Sequence, residues 1–188
     1  MIMRVITGSA RGTRLKSFEG DSVRPTTDKV KEAIFSSIHF VIEGSKVLDL
    51  FAGTGQLGIE ALSRGAMTAY FIDSSKESLR LVEQNLVLSK LKSSDVKVIN
   101  EDSILFLKTN TAKFDFVFVD PPYRKGIVLQ VLENIENSLN ENAYIFCEHE
   151  KELELPEIFG DLTLKKTYKY GKIYVSLYRY SCLESDEI

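Results

Sequence analysis

The sequence has few of the residues that bind metals or form disulfides. Its 188 residues include only two cysteines and two histidines. Cys147 and Cys182 have no C-x-x-C spacing, so the sequence requires no disulfide, and we expect both thiols to be buried or incidental. His39 and His149 have no metal-ligand spacing either. We therefore expect a protein without a metal site.

Long apolar segments are also absent. No apolar run approaches the roughly 20 residues that cross a bilayer as a helix, and residues 1–6 lack the long apolar core of a signal peptide. The hydrophobic content of 44% and the charged content of 27% are those of a soluble globular protein. The sequence thus predicts one cytoplasmic domain with its own core and no membrane partner.

An excess of positive charge is absent from the chain as a whole but present at its N-terminus. The net charge is −3, which on its own argues mildly against nucleic-acid binding. Residues 1–31 contain seven basic and three acidic residues, a net charge of +4 that leaves −7 for the remainder. A basic N-terminal segment on an acidic body suits a phosphate-bearing partner. The alternative is a solvated basic segment without a partner.

The pattern of the first 44 residues predicts an extension in front of the main domain. Two short strands, 4–8 and 13–17, flank a loop that contains Gly12, which predicts a hairpin. A helix follows, with Thr27 or Asp28 as its N-cap and apolar residues at helical spacing. We place a boundary near residue 44, so that 1–44 form the extension, 45–181 the core and 182–188 an acidic tail.

Residues 45–181 alternate between strand and helix patterns, which predicts an α/β, doubly wound, Rossmann-like sheet. The predicted strands are 46–51, 68–72, 95–99, 114–119 and 143–148, and the predicted helices are 57–64, 76–89, 103–107 and 127–138. Two further strands, 162–170 and 173–180, are joined by a tight turn at Gly171 and Lys172. The sheet should therefore be mostly parallel, in the order 3-2-1-4-5, with an antiparallel C-terminal hairpin.

A glycine-rich turn follows the first strand of this core. Gly53, Gly55 and Gly58 form G-x-G-x-x-G between a strand and a helix, the context of a nucleotide-binding loop. Asp73 ends the next strand, where such folds bind ribose hydroxyls. Up to this point an NAD enzyme and an S-adenosylmethionine (SAM) enzyme fit equally well.

Asp49, four residues before the first glycine, favours SAM. A carboxylate would repel a pyrophosphate, whereas at about 4 Å from the sulfonium or ammonium of SAM it is worth a few kcal/mol. Asp102 follows the third strand and could accept the adenine amino group, although it could instead cap the next helix. The neighbouring residues Phe51, Ser74 and Ser103 complete the predicted cofactor site.

The fourth strand ends in Asp120, Pro121, Pro122 and Tyr123. The prolines stiffen the chain where the strand opens onto the edge of the sheet. A carboxylate and a carbonyl beside a flat ring could hold a planar amine, and a Pro-stabilised turn is the alternative. In the order 3-2-1-4-5 the first and fourth strands flank the switch point, so this segment and the glycine loop should be neighbours.

Together these motifs resemble the RsmD-like family, which methylates a guanine N2 in 16S ribosomal RNA. The resemblance is carried by GSARG at 8–12, RPTTDKVKE at 24–32, DLFAGTGQLGIEALSRGA at 49–66 and FVDPPY at 118–123. The RPTTD segment is the most specific part, because D-P-P-Y also occurs in adenine-N6 enzymes that act on DNA. Thr13 stands where such proteins often have a second basic residue.

The resemblance implies a SAM-dependent transfer of a methyl group to an exocyclic amine. Asp120 and the Pro121 carbonyl would hold the amine, and Tyr123 would stack on the base. Arg24 and Thr26 would contact the SAM carboxylate or the RNA. Phosphates of the RNA would be bound by Arg11, Arg14 and Lys16.

The implied partner is 16S ribosomal RNA, either naked or within a partly assembled small subunit, and we expect a monomer. Two other functions remain open from the residues. A DNA adenine-N6 methyltransferase would share the pocket but would need a target-recognition domain, for which the chain has little room. An NAD-linked or other nucleotide-binding protein is opposed by Asp49 and by the D-P-P-Y segment.

Overall fold

The computed structural model describes residues 3–18, 28–122 and 126–181. In these ranges the strands are β1 Lys46–Leu50, β2 Thr68–Asp73, β3 Lys97–Asn100, β4 Phe114–Val119, β5 Leu139–Glu150, β6 Ile158–Phe159, β7 Leu162–Tyr170 and β8 Ile173–Tyr180. The helices are α1 Asp28–Ser37, α2 Gln56–Ser63, α3 Lys76–Leu88, α4 Ser103–Thr109 and α5 Ile127–Asn134, with a 3₁₀ turn at Glu136–Ser138.

All eight strands form one sheet in the order β3-β2-β1-β4-β5-β8-β7-β6. The first five are parallel, and β5, β8, β7 and β6 pair antiparallel. The prediction of a doubly wound sheet in the order 3-2-1-4-5 with an antiparallel C-terminal hairpin is confirmed. The switch point lies between β1 and β4, where ligands bind in this class of fold.

The two faces of the sheet pack against different elements. On β4, Phe116 and Phe118 point to one face and Val117 and Val119 to the other. The first face, which we call the arm face, packs against residues 3–15, α1, α2 and α3. The second face packs against α4 and α5. Phe35 of α1 lies 5.4 Å from the ring of Phe118, so α1 covers β4 just below Asp120.

The N-terminal hairpin is formed, but without regular strands. Three backbone hydrogen bonds join its two segments, from the N–H groups of Val5, Gly12 and Leu15 to the carbonyls of Thr13, Val5 and Met3. The ladder is reduced to an isolated bridge between Arg4 and Arg14. Beyond Val5 the chain turns to α2, where the Ile6 and Thr7 N–H groups bind the Glu60 carboxylate. We call residues 3–18 the arm.

Several boundaries also differ from the predictions. The predicted helix 127–138 ends at Asn134 and is followed by the 3₁₀ turn. β5 begins at Leu139 rather than at residue 143, and the two-residue strand β6 was not predicted. α2 ends where Gly65 was expected to cap it: Gly65 N–H donates to Leu62 and Ala66 N–H to Ala61, the bonds of a Schellman motif.

None of the helices that the structure describes has the length and apolar character that a membrane crossing requires. Cys147 is a free, buried thiol, and Cys182 and the acidic tail 182–188 lie outside the described residues. The predicted N-cap Thr27 also lies outside them, and α1 begins at Asp28.

Candidate active site

The carboxyl ends of β2, β1 and β4 bring Asp73, the glycine loop and Asp120 to one edge of the sheet. Leu50 is aligned with Ile72 on one side and with Val119 on the other. One residue further along, Phe51 therefore lies between Asp73 and Asp120. With strands about 4.8 Å apart, Asp73 and Asp120 are separated across the edge by roughly 10 Å.

The glycine loop departs sharply from the axis of β1. Phe51 has a φ of 72°, a conformation that a non-glycine residue adopts only at a cost of about 1–3 kcal/mol. Its N–H and that of Ala52 both donate to the Ile72 carbonyl, which holds the turn against β2. Gly53 N–H donates to Asp73 Oδ2 at 2.9 Å. The loop is thus fixed to the neighbouring strand at both ends of its first turn.

The space above Gly53 is open. A Cβ placed on Gly53 would meet nothing nearer than the Phe51 carbonyl oxygen at 4.0 Å. A ligand could therefore approach the loop backbone closely here. Gly58 differs, because a Cβ there would lie 2.4 Å from the Phe71 ring, so this glycine lets α2 pack directly on β2.

Asp49 lies beneath the loop rather than on its surface. Its side chain is 3% exposed, and Oδ2 accepts the Gly58 N–H at 2.8 Å. Burial above all, together with the nearby carboxylates of Asp120 and Asp73, raises the pKa of Asp49 to about 8, against the lowering effect of the Gly58 hydrogen bond. Asp49 is therefore largely protonated at neutral pH without a ligand, in contrast to the ionised carboxylate expected from the sequence.

Asp102 fulfils the capping role that the sequence left open. Its Oδ1 accepts the N–H groups of Ile104 and Leu105 at 3.0 and 2.9 Å at the start of α4. Both bonds use the same oxygen, so capping does not occupy Oδ2. Asp102 is exposed at the edge of the sheet, next to the buried Ser103, and Ser74 is exposed after β2.

Asp120 follows β4 directly and is half-buried, with Pro121 buried and Pro122 exposed. Its carboxylate is one of the groups that raise the pKa of Asp49. Tyr123, Arg24 and Thr26 were also predicted for this site, and all three lie outside the described residues.

A buried carboxylate attaches the arm to the helix that follows the glycine loop. Glu60 of α2 is 0% exposed and accepts the Ile6 N–H at 2.7 Å and the Thr7 N–H at 3.0 Å. Arg64 Nε donates to the same carboxylate at 2.9 Å, which balances its charge. One turn further on, Ser63 Oγ accepts the Ala10 N–H and donates to the Thr7 carbonyl.

Asn85 of α3 connects the arm to the glycine loop itself. Its Oδ1 accepts the Lys16 N–H at 2.7 Å, and its Nδ2 donates to the Lys16 carbonyl at 3.1 Å and to the Thr54 carbonyl at 2.9 Å. Thr54 stands between Gly53 and Gly55, so one buried amide fixes the end of the arm relative to the loop. The basic side chains predicted for phosphate, Arg11, Arg14 and Lys16, are exposed.

Glu60, Ser63 and Asn85 were not predicted as site residues. Their only signal in the sequence is a polar residue on an otherwise apolar helix face, such as Asn85 three residues after Val82 and just before Leu86. Among the described residues no group of three or more His, Cys, Asp or Glu is suited to a metal ion.

Comparison with known proteins shows the family of this chain. Residues 3–179 match the family model described as conserved hypothetical protein 95. The Bacillus subtilis protein YlbH, which carries an rRNA methyltransferase name, is 41% identical over 94% of this chain and 98% of its own. The Escherichia coli ribosomal RNA small subunit methyltransferase D is 35% identical over 94% of this chain and 89% of its own.

A solved structure has the same fold. The Escherichia coli protein yhhF, described as a methyltransferase, superposes with a TM-score of 0.86 at 34% identity, over 96% of this chain and 99% of that chain. The family-model match, residues 3–179, includes the arm, β1 to β7, all but the last residue of β8, and the switch point between β1 and β4. The chain therefore belongs to the conserved hypothetical protein 95 family, that of the ribosomal RNA small subunit methyltransferase D proteins.

Proposed function

We propose that this protein transfers a methyl group from SAM to the exocyclic N2 amine of a guanine in small-subunit (16S) ribosomal RNA. The observation that carries the proposal is the alignment of Asp120 beside the glycine loop across β1 and β4. That alignment supports a role of this segment in binding a planar amine, because the segment lies next to the open backbone of the loop. The names of two relatives support ribosomal RNA as the substrate, and one of them names the small subunit.

The residues at the edge of the sheet fit SAM. The open space above Gly53 admits a ligand that approaches the backbone, and Asp73 and Asp102 offer carboxylate oxygens for the ribose and adenine. Phe51, Gly55, Ser74 and Ser103 would complete that contact surface. When SAM is bound, it supplies a methyl group already activated on a sulfonium, so no residue has to generate a strong electrophile.

Asp120 would act on the target amine. The lone pair of an exocyclic amine is delocalised into the ring, which makes the nitrogen a poor nucleophile. N–H bonds to the Asp120 carboxylate and to the Pro121 carbonyl would favour a pyramidal nitrogen that points at the methyl group. Pro122 would keep this segment stiff and Tyr123 would stack on the base, so positioning and electrostatics provide the acceleration.

The arm would hold the RNA. Residues 1–44 would form an RNA-contacting extension, with Arg11, Arg14 and Lys16 exposed for phosphates and the backbone of the arm fixed by Glu60, Ser63 and Asn85. Arg24 and Thr26 would lie over the pocket. The target base must leave its stack or lie in a loop to reach Asp120.

The test is transfer from labelled SAM to 16S ribosomal RNA, naked and in partly assembled subunits, followed by nucleoside analysis. N2-methylguanosine is the expected product, and N6-methyladenosine or methylated DNA would refute the guanine assignment. The Asp120→Ala variant should bind S-adenosylhomocysteine as the wild type does and should lose methyl transfer. The control Glu133→Gln, at an exposed position of α5, should keep both. Full transfer by Asp120→Ala would remove Asp120 from the mechanism.

A further inference from the structure

The C-terminal hairpin has a composition that the proposed site does not use. Residues 162–181 contain five basic residues, five tyrosines and no acidic residue, in a chain whose net charge is −3. Basic residues interleaved with aromatic residues are typical of surfaces that bind nucleic acid, since cations meet phosphates and rings meet bases.

The strand register brings part of this composition to the arm face. Leu177 and Val175, which belong to the core of the arm face, are paired with Lys166 and Tyr168 of β7. Directly paired residues of antiparallel strands point to the same face. Register therefore places five residues together there, which we call the hairpin strip: Tyr144, Lys166, Tyr168, Tyr170 and Arg179.

Cations lie over two rings of the hairpin strip. Lys166 Nζ is 4.7 Å from the centroid of the Tyr168 ring, and Arg179 Cζ is 5.2 Å from that of Tyr144. Tyr144 also stacks on Phe116 of β4, with 5.7 Å between centroids and an interplanar angle of 10°. The tyrosines are half-buried against the core and Lys166 is exposed, so the rings are held in place while the cation reaches solvent.

The hairpin strip begins at the same edge of the sheet as Asp120. Glu150 at the carboxyl end of β5 pairs with Ile173, and Ile173 pairs with Tyr170. The Tyr170 end and the turn at Lys172 therefore lie at the edge that carries the active site. β7 is three strands from β4, a lateral distance of roughly 14 Å, which is within reach of nucleotides adjoining a base held at Asp120.

We propose that the hairpin strip is a second RNA-binding surface, which holds single-stranded nucleotides flanking the target base. This inference rests on the proposed action on ribosomal RNA and adds a contact that the arm does not supply. Residues 162–181 carry an excess of positive charge and no carboxylate, which favours a polyanion. Glu148 and Glu150 of β5 share this face, and Glu148 is buried. The ordered rings at the centre of the hairpin strip favour bases over the side chains of an acidic protein. Because the arm and the hairpin strip share one face, one RNA strand could contact both.

The first test removes charge from the hairpin strip, at Lys166, and from the adjoining turn, at Lys172. The Lys166→Gln and Lys172→Gln double variant, saturated with S-adenosylhomocysteine, is titrated with a single-stranded oligouridylate of about 20 nucleotides at several salt concentrations. If both lysines contact phosphates, the slope of log affinity against log salt falls by about 1.4, since each single-strand phosphate contact contributes about 0.7. The matched control, Lys108→Gln with Lys113→Gln, makes the same change of net charge at exposed positions of and beside α4 and should leave the slope unchanged.

The second test removes a ring. Tyr168→Leu keeps an apolar contact with the core but cannot stack on a base, and we expect about tenfold weaker binding with an unaltered salt slope. Unfolding curves of each variant check that the hairpin is folded. Unchanged affinity and salt slope in both variants would overturn the inference. A loss of binding to assembled particles with unchanged binding to the oligouridylate would also overturn it, since that result would indicate a protein partner.

The two proposals fail in different ways. Oligouridylate contains no guanine, so its binding does not depend on which base is methylated. If wild-type protein produces no N2-methylguanosine, the proposed function fails whatever the titration gives. If N2-methylguanosine forms but the hairpin variants bind as the wild type does, only the inference about the hairpin strip fails.

Discussion

Replacement of Glu60 by Gln tests whether the buried carboxylate of α2 holds the arm. Glutamine keeps one acceptor oxygen but places an NH2 group where Oε2 accepts the Ile6 N–H at 2.7 Å. A hydrogen bond to a charged group contributes about 1.5–3 kcal/mol, and an unsatisfied buried donor costs about 1–3 kcal/mol. These two costs describe partly the same change and are not added, and Ile6 is only half-buried. We therefore expect the free energy that holds the arm to α2 to fall by about 2–3 kcal/mol.

Hydrogen exchange of single amides measures this loss directly. With 2–3 kcal/mol less protection, the Ile6 and Thr7 amides should exchange about 30- to 150-fold faster than in the wild type. Amides of β1 and β4 should change little if the arm opens by itself. Affinity for RNA should fall while affinity for S-adenosylhomocysteine is retained. Glu133→Gln, an equal change of charge on the exposed side of α5, should alter the free energy of unfolding by less than about 0.5 kcal/mol.

The role of Glu60 in holding the arm would be refuted if Glu60→Gln were folded and its Ile6 and Thr7 amides exchanged at the wild-type rate. The carboxylate would then be dispensable for the arm, and its burial would serve only the ion pair with Arg64. Global unfolding of the variant would instead mean that arm and core unfold together. The exchange rates of the core amides separate these two results.

Three further predictions concern the core beneath the site. The pKa of Asp49 is about 8 without a ligand, and a cationic cofactor would lower it. SAM affinity should therefore rise by up to about tenfold per pH unit between about pH 6 and 7.5. Calorimetric titrations should show this slope in the wild type and no slope in Asp49→Asn. Gly58→Ala, whose Cβ would lie 2.4 Å from the Phe71 ring, should lower the free energy of unfolding by about 1–3 kcal/mol in urea, and Phe71→Leu should partly restore it. Tyr178→Phe should cost about 1 kcal/mol in the same assay, because the hydroxyl donates to the Pro156 carbonyl at 2.5 Å.

The pH dependence of stability follows from the same carboxyl group of Asp49. Its pKa in the folded protein exceeds its ordinary value of 3.8, so between about pH 4 and 8 the folded state binds a proton that the unfolded state has released. The contribution of Asp49 is therefore fully present at low pH and is lost as the pH rises toward 8. A bound cation would reverse part of this loss, since it favours the ionised form.

Local patterns were sufficient to predict seven of the eight strands of the sheet. β7 and β8 were predicted with their observed bounds, since Gly171 and Lys172 form a two-residue turn between two regular strands. The parallel strands were recognisable because they are apolar on both faces, as in β1, where Val47, Leu48 and Leu50 are fully buried. Strand β6 has only two residues, Ile158–Phe159, too few for a pattern to be detected.

The candidate site was only partly predictable, because its contacts connect distant parts of the chain. The Glu60 carboxylate lies 54 residues from Ile6 in sequence, and no local pattern shows that it binds the backbone of the predicted hairpin. The ionisation state of Asp49 also depends on how deeply its side chain is buried, and the alternation of strands and helices predicts that burial only approximately. The sequence could place these carboxyl groups at the edge of the sheet, but not determine which of them would be ionised.

The attachment of the arm also bears on how RNA and cofactor would be brought together. Asn85 binds the Lys16 backbone and the Thr54 carbonyl at the same time, and Thr54 Oγ1 donates to Met3 Sδ at the other end of the arm. Both ends of the arm are therefore tied to the glycine loop. Any other arrangement of the Asn85 amide would break these three hydrogen bonds, which disfavours a switch at this point. On the proposed function, the arm would act as a fixed frame that sets the distance between RNA phosphates and the methyl donor.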